Sequence, residues 1–302
     1  MIVITSGKRY IDIDAYASCI AYANLLKLKG IDAKAISSAK VNESVTPSLL
    51  NLNVKLDEYN PTEKDDFIIV DVSNKEFFDE IVNQRKIIEI LDHHVGYEMY
   101  WKERLKDKAK IEFIGAVATL IVELYKKENL IDNIGKEVAI LLMAAILDNT
   151  LNFKAKVTTK RDIVAYSELE KIVNIENYSE KYFKECQMEI EKNLEKAIEN
   201  DTKIEHITSV LPNIFGQLTV WEKDNIFKSK KTIFHTLDSI GDRWMMNIIC
   251  LKDGKSYIIA RDLDVQKNLI RLFGKNFKDD ILELDGLWLR KEIIKKAREF
   301  TY

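Results

Sequence analysis

Four short apolar runs constrain this chain more than any other feature of its sequence. They are Ile2 to Thr5, Ala33 to Ile36, Phe67 to Val70 and Ile87 to Leu91. A strand with one face in water alternates apolar and polar residues, whereas a nearly continuous run such as Phe67-Ile68-Ile69-Val70 is covered on both faces. Between the first two runs, Ala17, Ile20, Ala21, Leu25 and Leu28 recur at helical spacing, and Gly30 stops the pattern. A further helical stretch is expected over roughly Lys75 to Asn83. Covered strands alternating with helices predict an α/β fold, a mainly parallel sheet with helices on both faces. Such sheets take their ligands at the carboxyl ends of the strands.

The pattern changes further along. Val117 to Lys127 carries an apolar stripe, and Val138 to Leu147 is apolar nearly all round, as a buried helix would be. Thr159-Lys160-Arg161-Asp162 has the form of a capping box and should open another helix. One long charged helix is expected from about Glu180 to Glu199. Beyond it, Ile204 to Val210, Gln217 to Trp221, Met245 to Leu251 and Tyr257 to Ala260 read as strands, and Lys228 to Leu237 and Arg290 to Glu299 as helices. This is a smaller α+β unit, so the expected division is 1–178 and 179–302.

Composition narrows the classes of function. A net charge of −3 and a pI near 6.0 leave no global basic field for duplex nucleic acid. Lys228-Ser229-Lys230-Lys231 reads as a solvated face. The three cysteines, Cys19, Cys186 and Cys250, are far apart and form no CxxC pair. Neither a disulfide framework nor a cysteine zinc site is expected, and free thiols fit a reducing cytoplasm. The first residues show no basic, apolar leader pattern, and the longest apolar run is too short to span a bilayer. A cytoplasmic protein without a membrane partner is the expectation.

Acidic groups stand at three of the predicted strand ends. Asp12 and Asp14 follow the first strand, Asp71 ends the third, and Asp92-His93-His94 ends the fourth. Two divalent ions roughly 3.5–4 Å apart, held by carboxylates from separate loops, can activate water and clamp phosphoryl oxygens. Imidazole donors bias such a site toward manganese, cobalt or iron. The same residues could instead be helix caps and a hydrogen-bonded histidine pair. The pattern alone leaves both readings open.

Asp12-Ile13-Asp14-Ala15, the aspartate of Phe67-Ile68-Ile69-Val70-Asp71, and Leu91-Asp92-His93-His94 resemble, in order, the motifs of the DHH phosphoesterase superfamily. The stretch from Ala145 to Lys154, with Thr158-Thr159 after it, is similar to the fourth motif of its manganese-dependent (family II) inorganic pyrophosphatases and exopolyphosphatases. Arg290-Lys291 resembles the Arg-Lys element of their C-terminal phosphate-binding domain, and no GGGH-like signature of the nuclease branch is present. The resemblance implies a Rossmann-like domain, a smaller lid domain and a cleft between them. It implies a first metal on Asp12 and Asp71 and a second on Asp14, Asp71 and His93, with Asp71 bridging. Asp92 would support these ligands, and His94 would face the phosphate. Arg290 and Lys291 would meet the distal phosphate, with Lys192 a weaker candidate. Asp71, Asp92, His94, Arg290 and Lys291 are thus the implied catalytic set. The implied metal is manganese, with magnesium or cobalt as substitutes. The implied partner is a small phosphorylated or inorganic phosphate substrate, and a homodimer also follows from the resemblance.

The sequence departs from this pattern twice. Lys8 stands where the family has a metal-binding histidine, and Asn149 where it has an aspartate. A protonated lysine has no lone pair to give, and an asparagine offers only a neutral carbonyl oxygen. Asn149 stays a metal-ligand candidate through that oxygen, or Asp148 in its place if the alignment shifts by one residue, since successive helical residues point about 100° apart. Both changes weaken metal binding, the first site more than the second, and Lys8 is placed to contact a phosphate itself. The leading expectation is hydrolysis of a phosphoanhydride, pyrophosphate or short polyphosphate. The alternatives are a phosphodiesterase on short oligonucleotides or cyclic dinucleotides, and an inactive sensor of a phosphorylated ligand or a metal.

Overall fold

The apolar runs close into a parallel sheet. The structure, a computed structural model, describes residues 1–204, 206 and 208–300. The first unit, Met1–Ser179, contains β1 (Ile2–Thr5), α1 (Ile13–Leu28), β2 (Ala33–Ala35), α2 (Pro47–Leu50), β3 (Asp66–Val70), β4 (Ile87–Asp92), α3 (Glu98–Leu105), β5 (Ala109–Ile111), α4 (Val117–Lys127), α5 (Lys136–Thr150) and α6 (Lys160–Val173). The strand order is β2-β1-β3-β4-β5, and every pairing is parallel. The chain leaves β1 toward one edge and returns as β3 on its other side. The order therefore reverses between β1 and β3, the point where an open α/β sheet presents a crevice for ligands.

Sequence explains most of these elements. α1 is buried on nearly every side and packs on α4 and α5. Gly30, at φ 75°, takes the left-handed conformation that ends its pattern. Thr159 caps α6 in a full capping box with Asp162. The stretch expected to be helical over Lys75 to Asn83 is not an α-helix. Only Lys75–Phe77 turns, as a single 3-10 turn. Phe78 then bridges Gly7, and Asp79 N donates to the Ser6 carbonyl, so the backbone here is bound to the β1 loop in place of its own helix.

The second unit, from Glu180 onward, is built from α7 (Tyr178–Lys192), α8 (Leu194–Asn200), β6 (Thr202–Ile204), β7 (Ile214–Val220), α9 (Asp224–Lys228), α10 (Lys230–Ile240), β8 (Trp244–Cys250), β9 (Lys255–Ile259), α11 (Leu263–Phe273), β10 (Ile281–Asp285) and α12 (Arg290–Phe300). Its sheet runs β10-β9-β8-β7-β6, with β7 and β8 parallel and the other pairs antiparallel. Apolar side chains cover both faces, Trp244, Ile248 and Leu237 on one and Phe215, Ile258 and Leu269 on the other. The single long helix expected from Glu180 is two. Asn193, at φ −148°, breaks it and caps α8 through the Lys196 amide. The strand expected at Ile204 to Val210 is the shorter β6, and Glu205 and Ile207 within that range lie outside the described residues. Among the described residues no helix is long and apolar enough to cross a membrane.

Candidate metal centre

Three predicted positions meet at the carboxyl ends of β3 and β4. Asp71 follows β3 directly, and its amide donates to the Leu91 carbonyl across the strand pair (2.9 Å). Its φ of 59° is left-handed, which is uncommon outside glycine. Asp71, His93 and His94 each offer a ligand atom within 4.8 Å of the others. The His93 Nε2 lies 3.3 Å from Asp71 Oδ1, and the His94 Nδ1 lies 3.9 Å from it. Asp12 and Asp14 stand outside that group.

The surroundings orient each ring. His93 Nδ1 is 3.2 Å from the Ile114 carbonyl, an acceptor only, so Nδ1 carries the proton and the Nε2 lone pair is left toward Asp71. A backbone carbonyl behind an imidazole is a common way to fix the tautomer of a metal ligand. Asp92, wholly buried, accepts from the His93 amide (2.7 Å) and the His94 amide (3.1 Å) and bonds the His94 ring at Nδ1 (2.8 Å). Burial alone would push the Asp92 carboxyl up, but the charge and hydrogen bond of His94, with His93 and Ser73, hold it below its ordinary value. His93 is buried, while the His94 side chain is 54% exposed.

The two aspartates after β1 differ. Asp12 caps α1, accepting from Ala15 N at 3.0 Å. Burial pushes it up; the Ala15 amide, His94, the Asp14 amide and Asp71 pull it back. Asp14 is fully buried and faces the start of α4, where Val117 N and Ala118 N both donate to it at 2.8 Å. Burial, with the charge of Asp12, pushes its carboxyl up to about 8 against the pull of those amides and Ser18. Crowded carboxylates with imidazole lone pairs among them are a donor set that suits a divalent cation such as manganese.

The remaining positions are placed as follows. Lys8 is exposed, its amide held by the Phe77 carbonyl (2.9 Å). Asp148 and Asn149 are half-buried in the last turn of α5, which runs on through Thr150, and Asp148 is not in the Asp71 group. Lys192 is exposed and ion-paired with Glu189 one turn earlier. Arg290 is buried, donating to the Asp201 carbonyl (2.9 Å) and paired with its carboxylate, while its Nη1 has no hydrogen-bond partner among the described residues. Lys291 beside it is exposed. One contributor went unread in the sequence, the Ile114 carbonyl, which carries no side-chain signal.

Residues 1–146 match the family model described as DHH family, N-terminal domain. The matched residues form most of the first unit. An Exiguobacterium protein named "Probable manganese-dependent inorganic pyrophosphatase" is 31% identical over 206 residues, which make up 67% of this chain and 65% of that protein. A Bacillus licheniformis protein of the same name is 29% identical over 177 residues, 58% of this chain and 56% of its own. The match thus spans less than two thirds of these relatives. A crystal structure of a candidate family II inorganic pyrophosphatase from Methanococcus jannaschii has the same fold, with a TM-score of 0.71 at 21% identity, covering 99% of this chain and 100% of that one. An exopolyphosphatase-related protein from Bacteroides fragilis is more distant, with a TM-score of 0.52 at 16% identity over 99% and 90% of the two chains.

Proposed function

We propose that this protein is a manganese-dependent hydrolase that cleaves the phosphoanhydride bond of inorganic pyrophosphate. The observation that carries this reading is the Asp71–His93–His94 cluster, set at the strand ends of a DHH domain whose named relatives are pyrophosphatases. Asp71 and His93 would hold the ion. A bound manganese ion supplies Lewis-acid polarisation of a phosphoryl oxygen and acidifies water at the site.

The chain's own residues do the rest. The Ile114 carbonyl keeps the His93 lone pair on its ligand atom. Asp92 fixes His94 through Nδ1, and in its doubly protonated form this half-exposed ring donates from Nε2 to a phosphoryl oxygen. In the second unit the buried Arg290 has an Nη1 without a hydrogen-bond partner among the described residues, and Lys291 beside it is exposed. We assign this pair to the distal phosphate, where a guanidinium suits forked contacts. Lys8 brings a further positive charge to the β1 loop.

The test is phosphate release from pyrophosphate with manganese, run beside tripolyphosphate and a short oligonucleotide. Release from pyrophosphate that disappears in Asp71→Ala is the expected result. Manganese binding with no release from any of the three substrates would replace the hydrolase reading with that of a sensor.

A further inference from the structure

Asp14 and Asp162 are far apart in the first unit's sequence, yet both end on the first turn of α4. Gly115 N and Ala116 N donate to Asp162 at 3.1 and 3.3 Å, and Val117 N and Ala118 N donate to Asp14 at 2.8 and 2.8 Å. A helix start leaves its first amides without partners inside the helix, and here consecutive ones all go to side-chain carboxylates. The Thr119 hydroxyl adds a 2.6 Å bond to Asp162, and the Ser18 hydroxyl a 3.4 Å contact to Asp14. Two carboxyl groups thus take up the amides at the start of α4. Each Asp14 oxygen already accepts a short backbone bond, and the residue is wholly buried. The metal-competent group forms without it.

We propose that in this chain Asp14 is a helix cap and not a metal ligand, and that the centre holds a single divalent ion. This rests on the metal-dependent reading above. A second ion needs donors of its own, and the positions that would supply them are spent or unsuited. Asp14 is committed to α4. Lys8 is an exposed ammonium, and Asn149 offers a neutral amide from within α5. Asp71 and His93, with Asp12 and His94 alongside, make one anionic donor set.

Manganese binding to the whole protein, measured by equilibrium dialysis without substrate, tests this. The wild type should bind one ion per chain. Asp14→Asn turns an amide donor toward a helix end that needs acceptors, so its melting temperature should drop by at least about 4 °C. Its manganese affinity should stay within about threefold of wild type. Asp71→Ala should weaken binding by more than about tenfold. Two ions per wild-type chain would overturn the proposal, as would a folded Asp14→Asn that loses more than about tenfold in affinity. If Asp14→Asn does not fold, the wild-type stoichiometry decides alone. No manganese binding by the wild type would defeat the metal-dependent reading itself.

Discussion

Asp71 combines an uncommon backbone conformation with a central place in the cluster, and the two are separable by substitution. Its φ of 59° suits asparagine as well as aspartate, so Asp71→Asn leaves the turn after β3 intact. The change removes one charge from a crowded acidic pocket in which burial already pushes Asp12 up. Manganese affinity should fall at least about tenfold while thermal stability does not fall, the signature of a residue kept for function at a structural cost. Titration calorimetry and thermal unfolding on the same samples check both halves. A drop of more than about 3 °C would show that the carboxylate serves the fold instead. Residues of this kind were legible in the sequence because each follows a recognisable strand. The role of Asp14 was not. Its amide partner Val117 is 103 residues away, and the α4 start at Ala116 carries no side-chain cap of its own to signal that one arrives from elsewhere.

That remote cap ties the start of α4 to both α1 and α6. Gly115 lets the chain pass so closely that a Cβ there would lie 2.6 Å from Thr150 Cγ2 and 2.8 Å from Asp162 Oδ2. Gly115→Ala must therefore displace either the end of α5 or the cap that joins α4 to α6. Overpacking of this kind costs about 2 kcal/mol, which for a unit of this size is a fall of roughly 4–8 °C in melting temperature. Scanning calorimetry of the variant checks it, and an unchanged melting temperature would mean that the three helices are not locked together at this point. Elements were legible where local pattern and tertiary demand agree, as in the Thr159 capping box. They failed where one residue overrides the pattern. Asn193 divides a charged run that reads as one helix, and the bridge from Phe78 to Gly7 takes the 75–83 stretch out of helical form. β5 and β10 went unread because a three-residue Ala-Lys-Ile strand and an alternating edge strand carry little apolar signal.

On the scale of the molecule, the two units divide the proposed labour. Asp71, His93, His94, Asp14 and Asp162 all lie within residues 1–179, while Arg290 and Lys291 lie beyond them. Each unit has its own buried core: Phe67, Ile90 and Trp101 in the first, Trp244, Phe215 and Leu269 in the second. A unit with its own core is expected to fold alone. Residues 1–179 made separately should therefore unfold cooperatively and bind manganese within about threefold of the whole chain's affinity, a difference under ~1 kcal/mol. If Arg290 and Lys291 meet the distal phosphate, the same fragment should release no more phosphate from pyrophosphate than Asp71→Ala does in the whole protein. The two measurements separate metal binding from turnover. A fragment that binds manganese and also turns over pyrophosphate would place the whole reaction on the first unit and remove Arg290 and Lys291 from it. A fragment that folds but binds no manganese would show that the second unit contributes a ligand, and would require the donor set drawn from Asp71 and His93 to be redrawn.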